Sequence, residues 1–122
     1  MARGVDPSFA PEGLLDAVRR RGAVRMQYGE VPGWRLVVPL AVTRSWPGEL
    51  YLVAEQVSGA SRSGLLGRAK TSRLDRVRRL RPVPGVFACF ARSFVPDGYV
   101  EAVLAARPDL AVPSPNARTL SG

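Results

Sequence analysis

The residues most able to do chemistry lie in an arginine-rich stretch between residues 56 and 96. This stretch holds nine basic side chains against the single carboxylate of Asp75, whereas the rest of the chain balances nine basic against nine acidic residues. The whole formal net charge of +8 therefore belongs to one stretch. Its basic residues are Arg62, Arg68, Lys70, Arg73, Arg76, Arg78, Arg79, Arg81 and Arg92. A localised positive potential attracts polyanions, nucleic acid above all. The alternative is an ordinary solvated charged face.

The side chains that usually carry catalysis are missing from the chain. It contains no histidine, so it lacks the usual general base and the commonest metal ligand. The single cysteine, Cys89, stands in an apolar run and is expected to be a small buried hydrophobe. One cysteine allows neither an intrachain disulfide nor a thiolate zinc cluster. We therefore expect no enzymatic activity, no metal and no cofactor.

Length and composition predict one small domain. The chain has 122 residues, of which 46% are hydrophobic and 23% charged, as in ordinary globular domains. No apolar run reaches the roughly 20 residues of a membrane-spanning helix, and residues 1–11 lack the apolar core of a signal peptide. We expect a cytoplasmic protein with no membrane partner, a flexible arm over residues 1–10, a domain over 11–106 and a flexible tail over 107–122.

Hydrophobic periodicity predicts a mainly β fold with a short helix at each end. Alternating apolar residues indicate strands, and a proline at the first turn with a glycine at the end is typical of a helix. The predicted helices span residues 11–22 and 97–106, and the predicted strands span 23–28, 34–43, 50–57, 68–72 and 77–83. Pro39 requires a bend or an edge position, residues 46–49 suit a hairpin turn, and residues 58–67 suit a loop. At this size we expect the antiparallel sheet to close into a small barrel.

Several segments, taken in order, resemble the WYL domain of bacterial regulators. They are a strand ending in Tyr28, then Arg35-x-x-x-Pro39, then Leu50-Tyr51-Leu52, then Lys70-Thr71-Ser72-Arg73-Leu74-Asp75-Arg76-Val77, and finally Val86-Phe87 with Phe94-Val95-Pro96-Asp97. The resemblance covers roughly residues 14–106. The sequence departs from the family pattern at Leu50, where the eponymous tryptophan would stand, at Lys70, an arginine in the family, and at Ser72, a phenylalanine. The first and third changes remove aromatic surface.

The resemblance implies an Sm-like or SH3-like barrel that senses a ligand, often single-stranded nucleic acid or a nucleotide-like molecule. Family members are usually fused to a DNA-binding winged helix, which the few residues before the first predicted helix cannot encode, so we expect a standalone module. Standalone members of the family act as accessory proteins, including in phage defence and CRISPR systems.

These residues lead to a specific hypothesis about the binding site. We predict a groove lined by Tyr51, Lys70, Arg73 and Arg76, with Arg35 nearby and with Arg78, Arg79 and Arg81 adding salt-sensitive attraction. Arg73 and Arg76 would bind phosphate oxygens in bidentate fashion, and Tyr51 would either stack on a base or hydrogen-bond a phosphate through its hydroxyl.

The residues proposed for ligand binding could instead have structural roles. Tyr51 could be a core aromatic, although Leu50 and Leu52 fall on the other face of its strand. Arg76 could pair with Asp75 or with a backbone carbonyl, and Arg35 could satisfy buried carbonyls. Trp34 and Trp46 are more typical of hydrophobic plugs beside turns.

Two other functions fit the same residues. A protein-interaction module could dock its arginines and aromatics on an acidic partner or a ribonucleoprotein complex. A small-molecule sensor could bind a nucleotide in a closed pocket. Absorbance at 260 nm that co-purifies and is removed by high salt distinguishes a nucleic-acid binder from a protein-docking module. Self-association is a further expectation, because small regulatory barrels often form homo-oligomers.

Overall fold

The computed structural model describes residues 9–46, 48–59, 69–94, 96 and 99–110. Its elements follow one another as α1 (Phe9–Arg19), β1 (Ala23–Tyr28), β2 (Arg35–Ser45), β3 (Glu49–Gly59), β4 (Ala69–Arg73), a 3₁₀ turn (Leu74–Arg76), β5 (Val77–Val83) and β6 (Val100–Ala106). The fold is mainly β, as the sequence predicts, with one α-helix in the described part of the chain.

Helix α1 buries one apolar face, formed by Leu14, Ala17 and Val18. The helix ends in a Schellman arrangement, in which the Gly22 amide donates to the Ala17 carbonyl (2.8 Å) and the Arg21 amide to that of Val18 (3.2 Å). The residue in the left-handed conformation is Arg21, with φ of 56°. The left-handed residue that ends the helix therefore stands one residue earlier than Gly22, where the sequence predicts the end.

The six strands form one antiparallel sheet in the order β4-β3-β2-β1-β5, with β6 added beside β2. Strand β3 follows one edge of β2 along its whole length. The other edge of β2 is divided, because β1 pairs with Arg35–Val37 and β6 pairs with Ala41–Ser45. The register shifts between Pro39 and Ala41, where proline has no N–H to donate. The predicted bend at Pro39 is confirmed.

Each face of the sheet carries a hydrophobic core. The inner face packs on α1, and the core between them includes Val24, Met26, Val42, Leu52 and Leu80. The outer face carries a smaller core centred on Leu40, Ala41, Val53 and Leu110. Leu110 and Arg107, which the sequence analysis assigned to the tail, are both buried.

The prediction of a helix over residues 97–106 is wrong, because Val100–Ala106 is strand β6. Val100, Val103 and Leu104 have helical spacing, and alanine favours helices. The free edge of β2 between Ala41 and Ser45 overrides this preference by offering a hydrogen-bonded ladder to β6. Asp97, the expected cap of that helix, lies outside the described residues.

The prediction of a closed barrel is not confirmed. Strands β4 and β5 end the sheet on either side, and the described residues contain no ladder between them. The strand predictions are close, and β1 and β5 have the expected bounds. The predicted arm and tail lie largely outside the described residues, although α1 begins inside the arm at Phe9. The predicted loop over residues 58–67 also lies almost wholly outside them.

The helix described here is too short and too polar to cross a membrane.

Candidate nucleic-acid interface

Tyr51 and Arg73 lie opposite each other on β3 and β4, and residues directly opposite in a ladder share a face of the sheet. Leu52 is buried in the inner core and Leu50 packs against it, so Tyr51 points to the outer face. The alternative of Tyr51 as a residue of the main core is therefore excluded. Thr71 and Val53, the next pair on this face, continue the same surface.

Arg73 is engaged by two carboxylates of the protein itself. Its Nη2 donates to Asp75 Oδ2 at 2.8 Å and to Glu49 Oε2 at 3.0 Å. The Tyr51 hydroxyl donates to the other oxygen of Glu49 at 3.0 Å. We call these four residues, Glu49, Tyr51, Arg73 and Asp75, the Arg73 network. A phosphate would have to displace two carboxylates to reach this guanidinium.

The network shifts the pKa values of Tyr51 and Arg73. The hydrogen bond to Glu49 raises the pKa of Tyr51, because it stabilises the protonated phenol. The hydrogen bond from Arg73 to Asp75, and then the charges of Asp75 and Glu49, raise the pKa of Arg73. With one cation and two carboxylates, the network carries a net charge of about −1 at neutral pH.

The other predicted groove residues do not converge on Tyr51. Lys70 lies opposite Ala54, which is an inner-core residue, so its side chain leaves β4 on the other face of the sheet from Tyr51. Arg76 is exposed on the 3₁₀ turn, and its expected partner Asp75 pairs with Arg73 instead.

Arg35 is buried at the start of β2. Its guanidinium lies over the ring of Tyr28, 5.4 Å from the centroid, and burial lowers its pKa. The hydroxyl of the same tyrosine accepts the Arg73 amide N–H at 3.1 Å. Arg35 therefore supports the backbone of β4 through Tyr28 rather than lining a groove. The predicted single groove is divided among several surfaces.

A group of exposed arginines lies elsewhere, on the outer face of β1 and β5. Arg25 and Arg81 are directly opposite each other, and Arg79 lies two residues from Arg81 on the same face, opposite Gln27. The Arg81 guanidinium covers the half-buried Trp34 ring, 5.2 Å from the centroid. We call Arg25, Arg79, Arg81 and Trp34 the Arg face. Arg78 lies at the bulge beside it and donates to the Val31 carbonyl at 3.3 Å.

Five described carboxylates form ion pairs with other arginines and Glu55 is buried, whereas Glu30 is exposed in the turn after β1. Ion pairs in the described part of the chain join Arg20 to Asp16, Arg44 to Glu101, Arg107 to Asp109, and Arg73 to both Glu49 and Asp75. Glu55 is buried and accepts the amide N–H groups of Phe90 and Ala91 at 2.8 and 2.7 Å. No ion pair to the Arg face occurs in the residues described.

A second surface, which we call the aromatic groove, lies on the outer face of β2, β3 and β4 beside β6. It has a volume of about 410 Å³ and is lined by Thr43, Ser45, Trp46, Tyr51, Val53, Thr71, Phe94, Tyr99 and Val100. Trp46 and Tyr99 are 78% and 80% exposed. Trp46 is therefore a groove wall and not the hydrophobic plug that its position beside a turn indicates.

Segment 86–94 crosses the outer face between these two surfaces. The Phe87 amide donates to the Arg21 carbonyl at 2.8 Å, Glu55 holds Phe90 and Ala91, and Phe94 reaches the aromatic groove. Cys89 in this segment is half-buried, and burial raises the pKa of its thiol. A protonated, partly buried thiol fits the expected role of Cys89 as a small apolar residue.

The sequence analysis missed Arg25 and the role of Trp34. Arg25 lies outside the arginine-rich stretch, and only the register of β1 against β5 places it beside Arg81. The signal available was the alternation of Val24 and Met26 with Arg25, which puts Arg25 on the solvent face of a strand.

Comparisons with known proteins returned no match among protein-family models, curated proteins or solved structures. In the described ranges no group of three or more His, Cys, Asp or Glu side chains is placed to hold a metal ion. The candidate interface therefore rests on its own geometry.

Proposed function

We propose that this protein is a non-catalytic module that binds single-stranded nucleic acid on the Arg face. The observation that carries the proposal is the direct opposition of Arg25 and Arg81, both exposed, with Arg79 beside them and no described carboxylate paired to them. Like charges directly opposite each other destabilise a sheet. A bound phosphate relieves that repulsion, so the arrangement favours an anionic ligand.

The geometry of the Arg face suits a phosphate backbone. Side chains opposite each other in an antiparallel pair start about 4.5–5.5 Å apart, so two guanidiniums can hold one phosphate from both sides. Guanidinium groups donate paired N–H bonds to phosphate oxygens, and these charge-assisted bonds are stronger than neutral ones. Arg79 offers a further contact along the strand, and Arg76 and Arg78 lie next to it in sequence.

A single strand fits this face better than a duplex. Arg81 and Trp34 form a stacked pair, and a guanidinium or an indole can extend its stack only to a base that is not already paired and stacked. The bases of a single strand meet this condition, whereas a duplex would offer only its backbone.

The proposal moves the binding site away from the predicted groove. Arg79, Arg78 and Arg76 stay in or beside the site, whereas Arg73 and Tyr51 belong to a network with a net negative charge. Lys70 and Arg35 lie on other surfaces. An anionic ligand is expected to avoid the Arg73 network, because Glu49 and Asp75 repel it.

The finer description of the fold is also a proposal. We infer that the sheet is of the Sm-like or SH3-like kind that the resemblance to WYL domains implies. What supports this is that β4 and β5, the two ends of the strand order, are consecutive in the chain and joined by a single 3₁₀ turn. The segment Lys70–Val77 that carries much of the resemblance forms this connection. A regulatory or accessory role is what the same resemblance implies.

The proposal is tested by fluorescence anisotropy with labelled single-stranded DNA, single-stranded RNA and duplex DNA across a salt series. The variant Arg25→Gln/Arg81→Gln should raise the Kd for a single strand at least tenfold. Because each neutralised phosphate contributes about 0.7 to the salt slope for single strands, losing the phosphate that these two arginines share should reduce the slope by about 0.7.

The matched control is Arg19→Gln/Arg92→Gln, which removes the same charge from two exposed arginines outside the face. Its affinity should change less than about threefold, since only long-range attraction is lost. Equal losses in the two variants would show that binding is generic electrostatics. Binding of an acidic protein but of no oligonucleotide would favour the protein-interaction module instead.

A further inference from the structure

The aromatic groove has no role in the proposed function and differs from the Arg face in chemistry. Four of its wall residues are aromatic, and the rings of Trp46 and Tyr99 stand largely in solvent. Exposed aromatic rings gathered around one concavity are typical of a binding surface. A volume of about 410 Å³ suits one or two side chains of a partner.

The charge beside the groove is negative. The hydroxyl of Tyr51, which lines the groove, donates a hydrogen bond to a carboxylate oxygen of Glu49 at 3.0 Å. The two carboxylates of the Arg73 network outnumber its single guanidinium. A phosphate or carboxylate entering the groove would therefore meet uncompensated negative charge next to Tyr51, whereas a cation would be attracted.

The faces of aromatic rings add to this preference. The π face of tryptophan or tyrosine carries a negative potential that attracts guanidinium and ammonium groups, most strongly for tryptophan. Aromatic cages beside carboxylates are the usual solution for binding methylated lysine and other weakly hydrated cations. The aromatic ring faces and the carboxylate of Glu49 therefore both favour a positively charged ligand.

We propose that the aromatic groove binds a cationic side chain of a partner peptide, an arginine guanidinium or a methylated lysine, between Trp46 and Tyr99, with Glu49 supplying the complementary charge. Thr43, Ser45 and Thr71 are the hydroxyl-bearing residues of the groove lining. The protein then carries two sites of opposite preference on the outer face of one sheet, one for a polyanion and one for a basic peptide.

The two tryptophans of the chain allow each site to be observed separately. Trp46 lies in the aromatic groove and Trp34 on the Arg face, and there are no others. We would titrate the ¹⁵N-labelled full chain with a capped peptide containing two arginines and with its trimethyllysine counterpart, following both indole N–H signals by NMR. A peptide with citrulline in place of arginine is the neutral control.

The charged peptides should shift the Trp46 signal and leave that of Trp34 in place. The citrulline peptide should bind at least about tenfold more weakly, because it keeps the shape of arginine but not its charge. Trp46→Ala should abolish binding, and Glu49→Gln should weaken it several-fold. Phe90→Ala, the matched control, removes an aromatic ring that is 79% exposed outside both sites and should leave the Kd unchanged. Trp46 is mostly exposed, so its substitution should not prevent folding, which circular dichroism checks.

Salt provides an independent criterion. The net charge of +8 repels a basic peptide at long range, whereas Glu49 attracts it at the groove. Salt screens both interactions and their changes offset each other, so peptide affinity should change less than about twofold. Oligonucleotide affinity should instead fall steeply with added salt. Equal binding of the citrulline and arginine peptides, or a Trp46 signal that moves only with oligonucleotide, would overturn this proposal. The Trp34 signal and the Arg25→Gln/Arg81→Gln variant report separately on the Arg face, so the failure of this proposal can be distinguished from the failure of the proposed function.

Discussion

The Arg face and the Arg73 network lie on the outer face of the same sheet and both contain arginine, yet their electrostatic character is opposite. Arg25 and Arg81 face each other with no described carboxylate paired to either. Arg73 lies between Asp75 and Glu49 at 2.8 and 3.0 Å. The comparison teaches that a count of arginines along a sequence does not locate a positive surface. Where the carboxylates fold decides which guanidiniums remain available.

Segment 86–94 crosses the outer face between the Arg face and the aromatic groove, and the largest effect that we expect comes from releasing it. Glu55→Ala removes the acceptor of two amide N–H groups, those of Phe90 and Ala91. Buried donors left without a partner cost about 1–3 kcal/mol each, and partial access of water to this pair reduces the total to about 2 kcal/mol. Urea unfolding should show the loss as a lower midpoint.

Two controls accompany that measurement. Glu55→Gln keeps one carbonyl oxygen as an acceptor and should lose roughly half as much stability. Glu30→Ala removes an exposed carboxylate in the turn after β1 and should change the free energy of unfolding by less than about 0.5 kcal/mol. If Glu55→Ala were as stable as Glu30→Ala, the two hydrogen bonds to Glu55 would contribute nothing measurable to the free energy of unfolding.

The second largest effect is expected when the Arg73 network is given a net positive charge like that of the Arg face. Glu49→Gln/Asp75→Asn frees Arg73 and changes the network from about −1 to +1, which should create a new phosphate contact. Removing these two negative charges should make the free energy of oligonucleotide binding more favourable by about 1 kcal/mol near the surface. Oligonucleotide affinity should therefore rise about fivefold and the salt slope should steepen. Anisotropy titrations of the kind used for the Arg face measure both.

The control for this gain is Asp16→Asn/Glu30→Gln, which makes the same change in net charge away from the network. Its effect should stay below about twofold. An equal gain in the two variants would mean that net charge, and not the position of Glu49 and Asp75, governs affinity, and the distinction between the two regions would then be lost.

A smaller effect tests the repulsion inside the Arg face. Arg25→Thr removes one of the two opposed cations and places a β-branched residue in a strand. We expect the free protein to gain about 0.2–1 kcal/mol of stability while its affinity for single strands falls. Urea unfolding at low salt measures the gain, which should shrink at high salt as the repulsion is screened. A loss of stability at low salt would contradict the opposition of Arg25 and Arg81.

Local patterns in the sequence predict most of the fold. Alternation of apolar and polar residues gives the bounds of β1 and β5, and the pattern of Leu50 and Leu52 correctly turns Tyr51 away from the inner core. Strand β6 was missed because its alanines favour a helix, and only the open edge of β2 makes it a strand.

The candidate site is harder to predict, because it depends on register between distant segments. Arg25 and Arg81 become neighbours through the β1–β5 ladder, and Glu49 meets Arg73 across the β3–β4 pair. Nothing local to Arg73 shows that Glu49 will neutralise it. The arginine-rich stretch therefore includes Arg79 and Arg81 of the Arg face, but it does not contain Arg25 and does not show which of its arginines are paired with carboxylates.

The smallest effect concerns the proton that joins Tyr51 to Glu49. The hydrogen bond to Glu49 raises the pKa of Tyr51 above its ordinary value near 10, so the stabilisation it provides is complete below that pH and is lost as the pH rises through the folded pKa. Ultraviolet absorbance near 295 nm follows the ionisation of the chain's three tyrosines. Glu49→Gln should move one of the three titrations to lower pH, since the carboxylate that holds the phenol proton is gone. Tyr51→Phe should remove that same titration and so identify it. An unchanged curve in Glu49→Gln would break the link between the aromatic groove and the Arg73 network, whereas a shift would show that Glu49 places its negative charge at the wall of the groove.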